Sequence, residues 1–209
     1  MSVRFSTREL GDFGIAWIAL GVAFTFFILS SVGRSLFAVF SSAGVGLLLR
    51  VFLVSMLTVG VAFLLHELAH KVVAVRFGQV AEFRADYTML ALAVGAGLAG
   101  FLFAAPGAVY HRGRITDRER GLVALAGPVT NLLLIPVFAP LFLLAGGFLG
   151  EVGQLGITIN AALAAFNMLP FGPLDGRTVR SWSNVVFGLA FLASAGTGII
   201  AILFVGFPY

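Results

Sequence analysis

Long apolar stretches alternate with short polar connections along this chain. Four of them are long enough to cross a bilayer, at residues 13–32, 44–74, 122–148 and 185–207. A bilayer span needs about 20 mostly apolar residues, so a fifth stretch at residues 155–169 crosses only with tilt or local thinning of the membrane. This pattern predicts an all-α polytopic membrane protein. Ser6 and Glu9 fit a capping box ahead of the first helix.

The composition indicates that lipid is the solvent for most of the chain. Of 209 residues, 60% are hydrophobic and 11% are charged, and the mean hydropathy is +1.06; soluble domains carry about 25% charged residues. The length predicts a single domain over residues 1–209. The absence of cysteine excludes disulfides, thiolate metal ligands and a cysteine nucleophile. We expect the polar N-terminus to be a retained cytoplasmic leader and not a signal peptide.

The positions of Lys and Arg predict the orientation in the membrane. With the N-terminus inside and five alternating crossings, every Lys and Arg except Arg34 and Arg50 falls on the cytoplasmic side. Such a bias is the positive-inside pattern of membrane proteins. The formal charge of +4 comes with no stripe of basic and aromatic residues, so we expect the lipid bilayer as a partner and no nucleic acid.

Residues 88–109 do not fit this alternation. They are apolar enough to span, but a crossing here would put His66 and Asp175 on opposite sides of the membrane. Five residues in the segment disfavour a regular helix: Gly95, Gly97, Gly100, Pro106 and Gly107. We therefore expect a re-entrant segment, since irregular backbone persists at membrane depth only where it is buried or lined by water. The alternative is a sixth transmembrane helix, so the prediction is a bundle of five to six helices.

On either side of this segment the pattern indicates β structure. In residues 81–87, Ala and aromatic residues alternate with Glu, Arg and Asp, and a period of two is typical of a half-buried strand. Residues 108–116 predict a hairpin that turns at Arg112-Gly113. We expect a small membrane-associated β region whose open edge near residues 81–87 can hold an extended peptide.

The clearest chemical signal is the HELAH motif at residues 66–70. Residues four apart share a helix face, so His66 and His70 can bind one metal ion, and Glu67 can reach an attacking water without being a ligand. The motif ends an apolar stretch, where ionisable groups cost about 2.5–3.5 kcal/mol each and persist mainly where they pair or function. The alternative is a packed helix end in which the three side chains satisfy one another.

A catalytic zinc site takes three protein ligands and leaves one position open, so a third ligand is needed. His111 is the remaining histidine, and we interpret it as an interfacial side chain in an arginine-rich turn. Asp175 follows Pro170 and Pro173, which must end the preceding helix and allow the chain to fold back. From spacing alone, a metal ligand and a turn-capping aspartate are equally consistent with Asp175.

Two amides lie in apolar helices, Asn131 and Asn167. An amide in such a place must find hydrogen bonds. Asn167 can hold a substrate carbonyl or can join helices, and the residues by themselves favour the joining role for both amides. The Gly127-Pro128 pair before Asn131 suits a helix start.

Three motifs follow one another along the chain: HELAH at 66–70, AGPVTN at 126–131 and FNMLPFGPLDG at 166–176. In this combination the chain resembles the site-2 protease family of intramembrane zinc metalloproteases. The resemblance covers a core of residues 44–176. The long apolar insertion at residues 88–109 departs from simpler members of that family.

The resemblance implies a site. It implies zinc bound by His66, His70 and Asp175, with Glu67 as the catalytic base. It also implies that Asn167 lies at the active site near the substrate, and that the β region helps to receive the substrate.

The resulting expectation is an intramembrane zinc metalloprotease that hydrolyses transmembrane protein substrates near the cytoplasmic membrane face. A membrane metal carrier or transporter is one alternative, but the chain shows no inverted repeats. A catalytically silent membrane scaffold is another. Glu67 separates these classes, because an ion pathway needs ligands and only a hydrolase needs an adjacent base that is not a ligand.

Overall fold

The computed structural model describes residues 2–31, 44–102 and 106–208. Its helices are α1 (Thr7–Ser31), α2 (Gly44–Ser55), α3 (Val61–Arg76), α4 (Tyr87–Leu98), α5 (Asp117–Leu144), α6 (Gly147–Asn167), α7 (Asp175–Trp182) and α8 (Asn184–Ile200). Two strands are β1 (Val80–Ala85) and β2 (Gly107–Arg112), and two π-helical turns are Met56–Gly60 and Ala201–Val205.

Five helical units among these residues are long and apolar enough to cross a membrane, as the sequence predicts. The π-helical turn at Met56–Gly60 joins α2 to α3 without a break, so Val45–Arg76 forms one span. In the same way, α8 and the final turn form the span Asn184–Val205. Residue 32, the predicted end of the first span, and the predicted outer-side Arg34 lie outside the described residues.

The first helix begins after Ser6, but the predicted capping box is only half formed. The Ser6 hydroxyl accepts a hydrogen bond from the Glu9 backbone N–H at 3.1 Å. The Glu9 carboxylate does not return to Ser6 and instead accepts from Lys71 and from the Phe83 backbone N–H. A buried carboxylate needs charged or polar donors, and those two donors are available only in the folded chain.

The prediction that Gly127-Pro128 starts a helix is wrong. Helix α5 begins ten residues earlier at Asp117, where Thr116 and Glu119 form a complete capping box. That box satisfies two of the free backbone donors at the helix start. Pro128 therefore lies inside the helix, together with Pro136 and Pro140, a placement that membrane helices tolerate when neighbouring groups satisfy the freed carbonyls.

Helix α6 is longer than the apolar stretch at residues 155–169 predicts. It has 21 residues, Gly147–Asn167, and is long enough to cross the bilayer without thinning. Its extra first turns contain Glu151, which forms a two-pronged ion pair with Arg50 of α2 at 2.8 and 3.0 Å. Because the pair offsets the charge of each partner, Glu151 does not end the span as its polarity suggests.

The segment at residues 88–109 returns to the place from which it departs, as predicted for a re-entrant segment. Strands β1 and β2 pair antiparallel, and Ala85 at the end of β1 lies opposite Gly107 at the start of β2. Helix α4 lies between them and has 12 residues, a length of about 18 Å. That is shorter than the roughly 30 Å of a bilayer core, so the segment does not form a sixth crossing.

Helix α4 packs against α1, and a specific contact fixes each of its two ends. Asp86 caps its first turn by accepting from the Met89 backbone N–H at 3.0 Å. Near its end, Gly97 lies so close to α1 that an added Cβ would come within 2.2 Å of the Ala23 carbonyl oxygen. Only glycine permits this approach of the two backbones.

The predicted hairpin with a turn at Arg112-Gly113 is wrong. Residues 107–112 form β2, which pairs back with β1 and not with the residues that follow. The chain leaves β2 through Gly113, at φ +136°, and enters α5. The alternation predicted for residues 81–87 is confirmed as far as Ala85, since Ala81 and Phe83 are buried. It is wrong for the last two residues, because Asp86 caps α4 and the exposed Tyr87 begins that helix.

Phe83 joins the sheet to the bundle. Its ring stacks on Phe13 of α1, with centroids 4.3 Å apart, and meets Phe63 of α3 edge to face at 5.9 Å. Aromatic pairs of this kind add about 0.5–1.5 kcal/mol each beyond the burial of their area. The sheet is therefore held against the helix that carries the HELAH motif.

The return of the re-entrant segment can be tested by labelling, because the chain has no cysteine of its own. Single Arg76→Cys and Arg114→Cys variants flank the segment at exposed positions. We expect both to react with an impermeant maleimide from the same face of intact vesicles. Labelling from opposite faces would establish a crossing between them.

Candidate metal centre

The two histidines and the glutamate of the HELAH motif lie on the buried side of helix α3. His66, Glu67 and His70 are 4%, 8% and 8% exposed. The two imidazole rings lie one turn apart, with centroids 4.6 Å apart and planes at 85°. The i, i+4 spacing therefore brings both rings to one face, as expected for a shared metal.

Asp175, which is distant from this histidine pair in the sequence, lies next to it in the structure. It is the first residue of α7, directly after the turn in which Gly172 adopts φ +63°. Its Oδ2 lies 3.3 Å from His66 Nε2 and 3.4 Å from His70 Nε2. The alternative role of a turn cap is not observed, since α7 has Leu174 at its N-cap and no side-chain capping bond.

The surroundings of these three groups fit a metal ion. Their ligand atoms lie within 4.8 Å of one another, and no other His, Asp or Glu among the described residues joins the group. Asp175 Oδ2 is buried without a hydrogen-bond partner. Gly127 of α5 faces them, and an added Cβ would lie 2.5 Å from His66 Nε2 and 2.6 Å from His70 Nε2. Glycine thus keeps open the space into which the donor atoms converge.

Both imidazoles are oriented through their other ring nitrogen. His66 Nδ1 lies 2.6 Å from Asn131 Oδ1, and His70 Nδ1 lies 2.7 Å from the Val123 carbonyl oxygen. Because both partners are acceptors, each Nδ1 carries a proton and donates. Metal binding requires the neutral ring, and in that form each Nε2 has the free lone pair that binds the metal.

A chain of amides fixes the orientation of Asn131. Its Nδ2 donates to the Ala62 carbonyl at 3.2 Å and to Asn160 Oδ1 at 2.9 Å, which leaves Oδ1 to accept from His66. Asn160 Nδ2 in turn donates to the Gly156 carbonyl at 2.8 Å. Asn131 therefore joins α3, α5 and α6, as predicted, and also sets the tautomer of His66. Sequence reasoning missed Asn160, whose signal was a buried amide in an apolar helix.

The metal-binding group opens into a cavity of about 440 Å³. Glu67 lines this cavity but does not belong to the metal-binding group. The backbone N–H of Val109 in β2 is directed at its carboxylate. A carboxylate in this position is available to exchange a proton with a small molecule bound at the histidines.

The remaining predicted residues also lie on the cavity wall. Asn167 is half-buried there, and its Nδ2 donates to the Leu163 carbonyl of its own helix at 3.0 Å. His111 lines the cavity from β2 without joining the metal-binding group. Burial lowers the pKa of His111, and the positive charge of Arg120 lowers it further. His111 is therefore neutral at pH 7.

Asp175 is held in its ionised form. Burial acts to raise the pKa of Asp175, but the attraction of His70 and the contact with His66 outweigh it and bring the pKa to about 2. A carboxylate must be deprotonated to bind a metal. Asp175 therefore carries the negative charge that a metal ligand requires.

The cavity adjoins β2. The sequence pattern instead predicts that the substrate-binding edge lies on the first strand, near residues 81–87. The Phe83 N–H of β1 donates to Glu9 and the Ala85 N–H donates to Asp12, so the outer edge of β1 is covered by α1. The expectation of an open edge near residues 81–87 is thus wrong. An antiparallel strand alternates the direction of its backbone groups, and Val109 lies opposite Phe83. Val109 therefore directs its N–H and C=O toward the free edge of β2, on the cavity side.

Five candidate spans and a group of two histidines and a carboxylate, beside a glutamate outside that group, are the features of a multi-pass membrane protein with a site for a catalytic metal. The chain is 39% identical over 197 residues to "Putative zinc metalloprotease MJ0611" of Methanocaldococcus jannaschii, covering 92% of this chain and 94% of that protein. The chain belongs to the site-2 protease family of zinc metalloproteases.

Two further relatives match shorter parts. "Putative zinc metalloprotease YwhC" of Bacillus subtilis is 35% identical over 148 residues, 59% of this chain and 65% of that protein. "Putative zinc metalloprotease Rip3" of Mycobacterium tuberculosis is 33% identical over 127 residues, 58% of this chain and 28% of that protein. No family model and no solved structure matches the chain. Zinc is accordingly the cofactor, and the group formed by His66, His70 and Asp175 can hold it.

The role of Asp175 can be tested by zinc content. We expect the Asp175→Asn protein to fold and to lose most of its zinc, because a neutral amide oxygen is a much poorer ligand than a carboxylate. Metal is measured by mass spectrometry on purified protein, with wild type expected to carry about one ion per chain. The matched control is Asp117→Asn, an exposed acid that pairs with Arg120. Full zinc occupancy in folded Asp175→Asn protein would contradict the assignment.

Proposed function

We propose that this chain is an intramembrane protease that hydrolyses peptide bonds of transmembrane proteins near the cytoplasmic membrane face. In this proposal His66, His70 and Asp175 hold zinc and Glu67 is the general base. The single observation that carries it is the convergence of three ligand atoms within 4.8 Å, inside a cavity that Glu67 also lines.

The chemistry divides between the metal and Glu67. Bound zinc supplies Lewis-acid polarisation of the scissile carbonyl and acidifies a water to a pKa near 7. Glu67 takes the proton of the attacking water and passes it to the leaving amine. His66 and His70 keep their Nε2 lone pairs toward the metal because Asn131 and the Val123 carbonyl hold each Nδ1 proton.

The substrate has to be extended at the point of cleavage, because a helix hides its carbonyls in backbone hydrogen bonds. We propose that the extended stretch pairs with the free edge of β2, as in β-augmentation. Gly107, Val109 and His111 line the cavity with Glu67, and their backbone groups point away from β1 toward that edge. The Val109 N–H already contacts Glu67, so the substrate strand would use the Val109 carbonyl and the backbone groups of Gly107 and His111. Asn167, which also lines the cavity, is our candidate for a contact with a substrate carbonyl.

The charges at this end of the bundle support a cytoplasmic location. The N-terminal residues and the end of α3 meet there, since Lys71 contacts both Arg4 and Glu9. The start of α5 joins them, because Val3 packs in one cluster with Val123. Exposed arginines follow on β2, the start of α5 and α7: Arg112, Arg114, Arg118, Arg120, Arg177 and Arg180. An excess of basic residues marks the cytoplasmic side, where water also reaches the cavity.

The role of Glu67 is tested by an exchange that preserves shape. Glu67→Gln protein should keep about one zinc ion per chain, because Glu67 is not a ligand, and should lose roughly 10²–10⁴-fold in rate because an amide cannot act as base. Cleavage is measured on a synthetic single-span peptide, labelled with a fluorophore and a quencher, in vesicles.

The matched control is Glu119→Gln, which retains the capping bond of α5 and should cleave like wild type. Cleavage by Glu67→Gln at a near wild-type rate would exclude the mechanism.

The docking edge is tested by disulfide trapping in the inactive Glu67→Gln protein. Tyr110→Cys on β2 and Val80→Cys on β1 place single cysteines at exposed positions, 67% and 77% exposed in the native residues. A peptide strand on the edge of β2 lies about 4.8 Å from that strand and twice as far from β1, and a disulfide needs Cα atoms within about 7 Å.

We therefore expect a cysteine-containing single-span peptide to cross-link to Tyr110→Cys and not to Val80→Cys. Cross-linking of Val80→Cys alone would place the substrate on the other strand and contradict the proposal.

A further inference from the structure

Two carboxylates of α1 cover the outer edge of β1. Glu9 Oε1 accepts the Phe83 N–H at 2.9 Å, and Asp12 Oδ2 accepts the Ala85 N–H at 3.3 Å. Residues three apart on a helix lie about 5–6 Å apart, and alternate residues of a strand lie about 7 Å apart. The acids of α1 therefore match the spacing of the strand donors and take the place of a neighbouring strand.

Glu9 is also bound to the helix that carries the metal ligands. Its Oε2 accepts from Lys71 Nζ, and both side chains are fully buried. Lys71 follows His70 directly in α3, and its Nζ also donates to the Arg4 carbonyl at 2.6 Å. One carboxylate thus joins α3, through Lys71, to the backbone of β1, through Phe83.

Asp12 repeats this arrangement one turn later. Besides the Ala85 N–H, its carboxylate accepts from the Tyr87 hydroxyl, and Arg84 lies 3.8 Å away. Asp12 is 3% exposed. The outer edge of β1 at Phe83 and Ala85 is therefore held by side chains of α1.

A sheet of only two strands is at best marginally stable in water. Here it must also keep its free edge at a constant distance from Glu67, because a peptide bond has to reach the reacting groups within a fraction of an ångström. The path from His70 through Lys71, Glu9 and Phe83 to Val109 supplies a fixed connection.

We propose that Glu9, assisted by Asp12, acts as a surrogate strand for β1 and is a positioning residue for the extended substrate. This inference rests on the proposed function, in which the substrate pairs with β2. Glu9 acts through the sheet and does not touch the substrate, so its loss should weaken substrate binding more than the chemical step.

A pair of double variants isolates the hydrogen bond to Phe83. Glu9→Met/Lys71→Met and Glu9→Gln/Lys71→Met both remove the buried ion pair and have the same charge, but only Gln keeps an acceptor for the Phe83 N–H. We expect KM for the labelled single-span peptide to be roughly three- to tenfold higher in the Met variant than in the Gln variant, the value of about one hydrogen bond. Values of kcat should agree within about twofold, and zinc content should be equal.

Two further measurements separate positioning from general destabilisation. Hydrogen exchange at the Phe83 amide should be faster in the Met variant than in the Gln variant. Arg50→Met/Glu151→Met removes an ion pair at the opposite end of the bundle, and it should lower the melting temperature without raising KM. Loss of stability by itself reduces the active fraction, and so lowers apparent kcat and not substrate affinity.

Equal KM values in the two Glu9 variants, with wild type active, would overturn the inference and leave the proposed function intact. If wild type itself shows no Glu67-dependent cleavage, the proposed function fails instead. Should Glu9→Met/Lys71→Met not fold, Asp12→Leu and Asp12→Asn form a second pair that differs in the acceptor for the Ala85 N–H. A higher KM in Asp12→Leu than in Asp12→Asn supports the inference, and equal KM values would again overturn it.

Discussion

An ionisable group that is buried in an apolar bundle has to be matched by a partner of opposite charge, a hydrogen-bond donor or a metal. Removing such a group from water costs several kcal/mol even after relaxation, so each buried charge dictates which elements lie side by side. Such matches organise this protein. Glu9 with Lys71 joins α1 to α3, and the histidine pair draws in Asp175. The partly exposed pair of Arg50 and Glu151 also joins α2 to α6.

The metal-binding group depends on a supporting layer that is as specific as the ligands. Asn131 is fully buried and receives the Nδ1 proton of His66, while Asn160 and the Ala62 carbonyl decide which end of its amide faces the histidine. Gly127 provides the space in front of both Nε2 atoms. Such outer partners fix the orientation and basicity of metal-binding histidines, so a motif of two histidines becomes a site only when α5 and α6 pack against α3.

The sheet shows the same dependence on distant contacts. Its strands are separated by α4, yet they pair in register from Val80 opposite Arg112 to Ala85 opposite Gly107. One edge is closed by acids of α1, and the other faces the cavity. This asymmetry is the reason that we propose β2, and not β1, as the edge on which a substrate strand pairs.

The sequence by itself determined the features that repeat within one element. Three local patterns reappear in the structure: apolar stretches of span length, the alternation of residues 81–85, and the i, i+4 spacing of His66 and His70. The return of residues 88–109 was also predictable, because a crossing would have separated His66 from Asp175. Only the tertiary structure decided the contacts between residues far apart in the chain. One example is the pairing of β2 with β1. Others are the hydrogen bond between Glu9 and Phe83, which lie 74 residues apart, and the approach of Asp175 to both histidines. A buried polar group reveals in sequence that it needs a partner, but which partner it finds is set by how the helices pack.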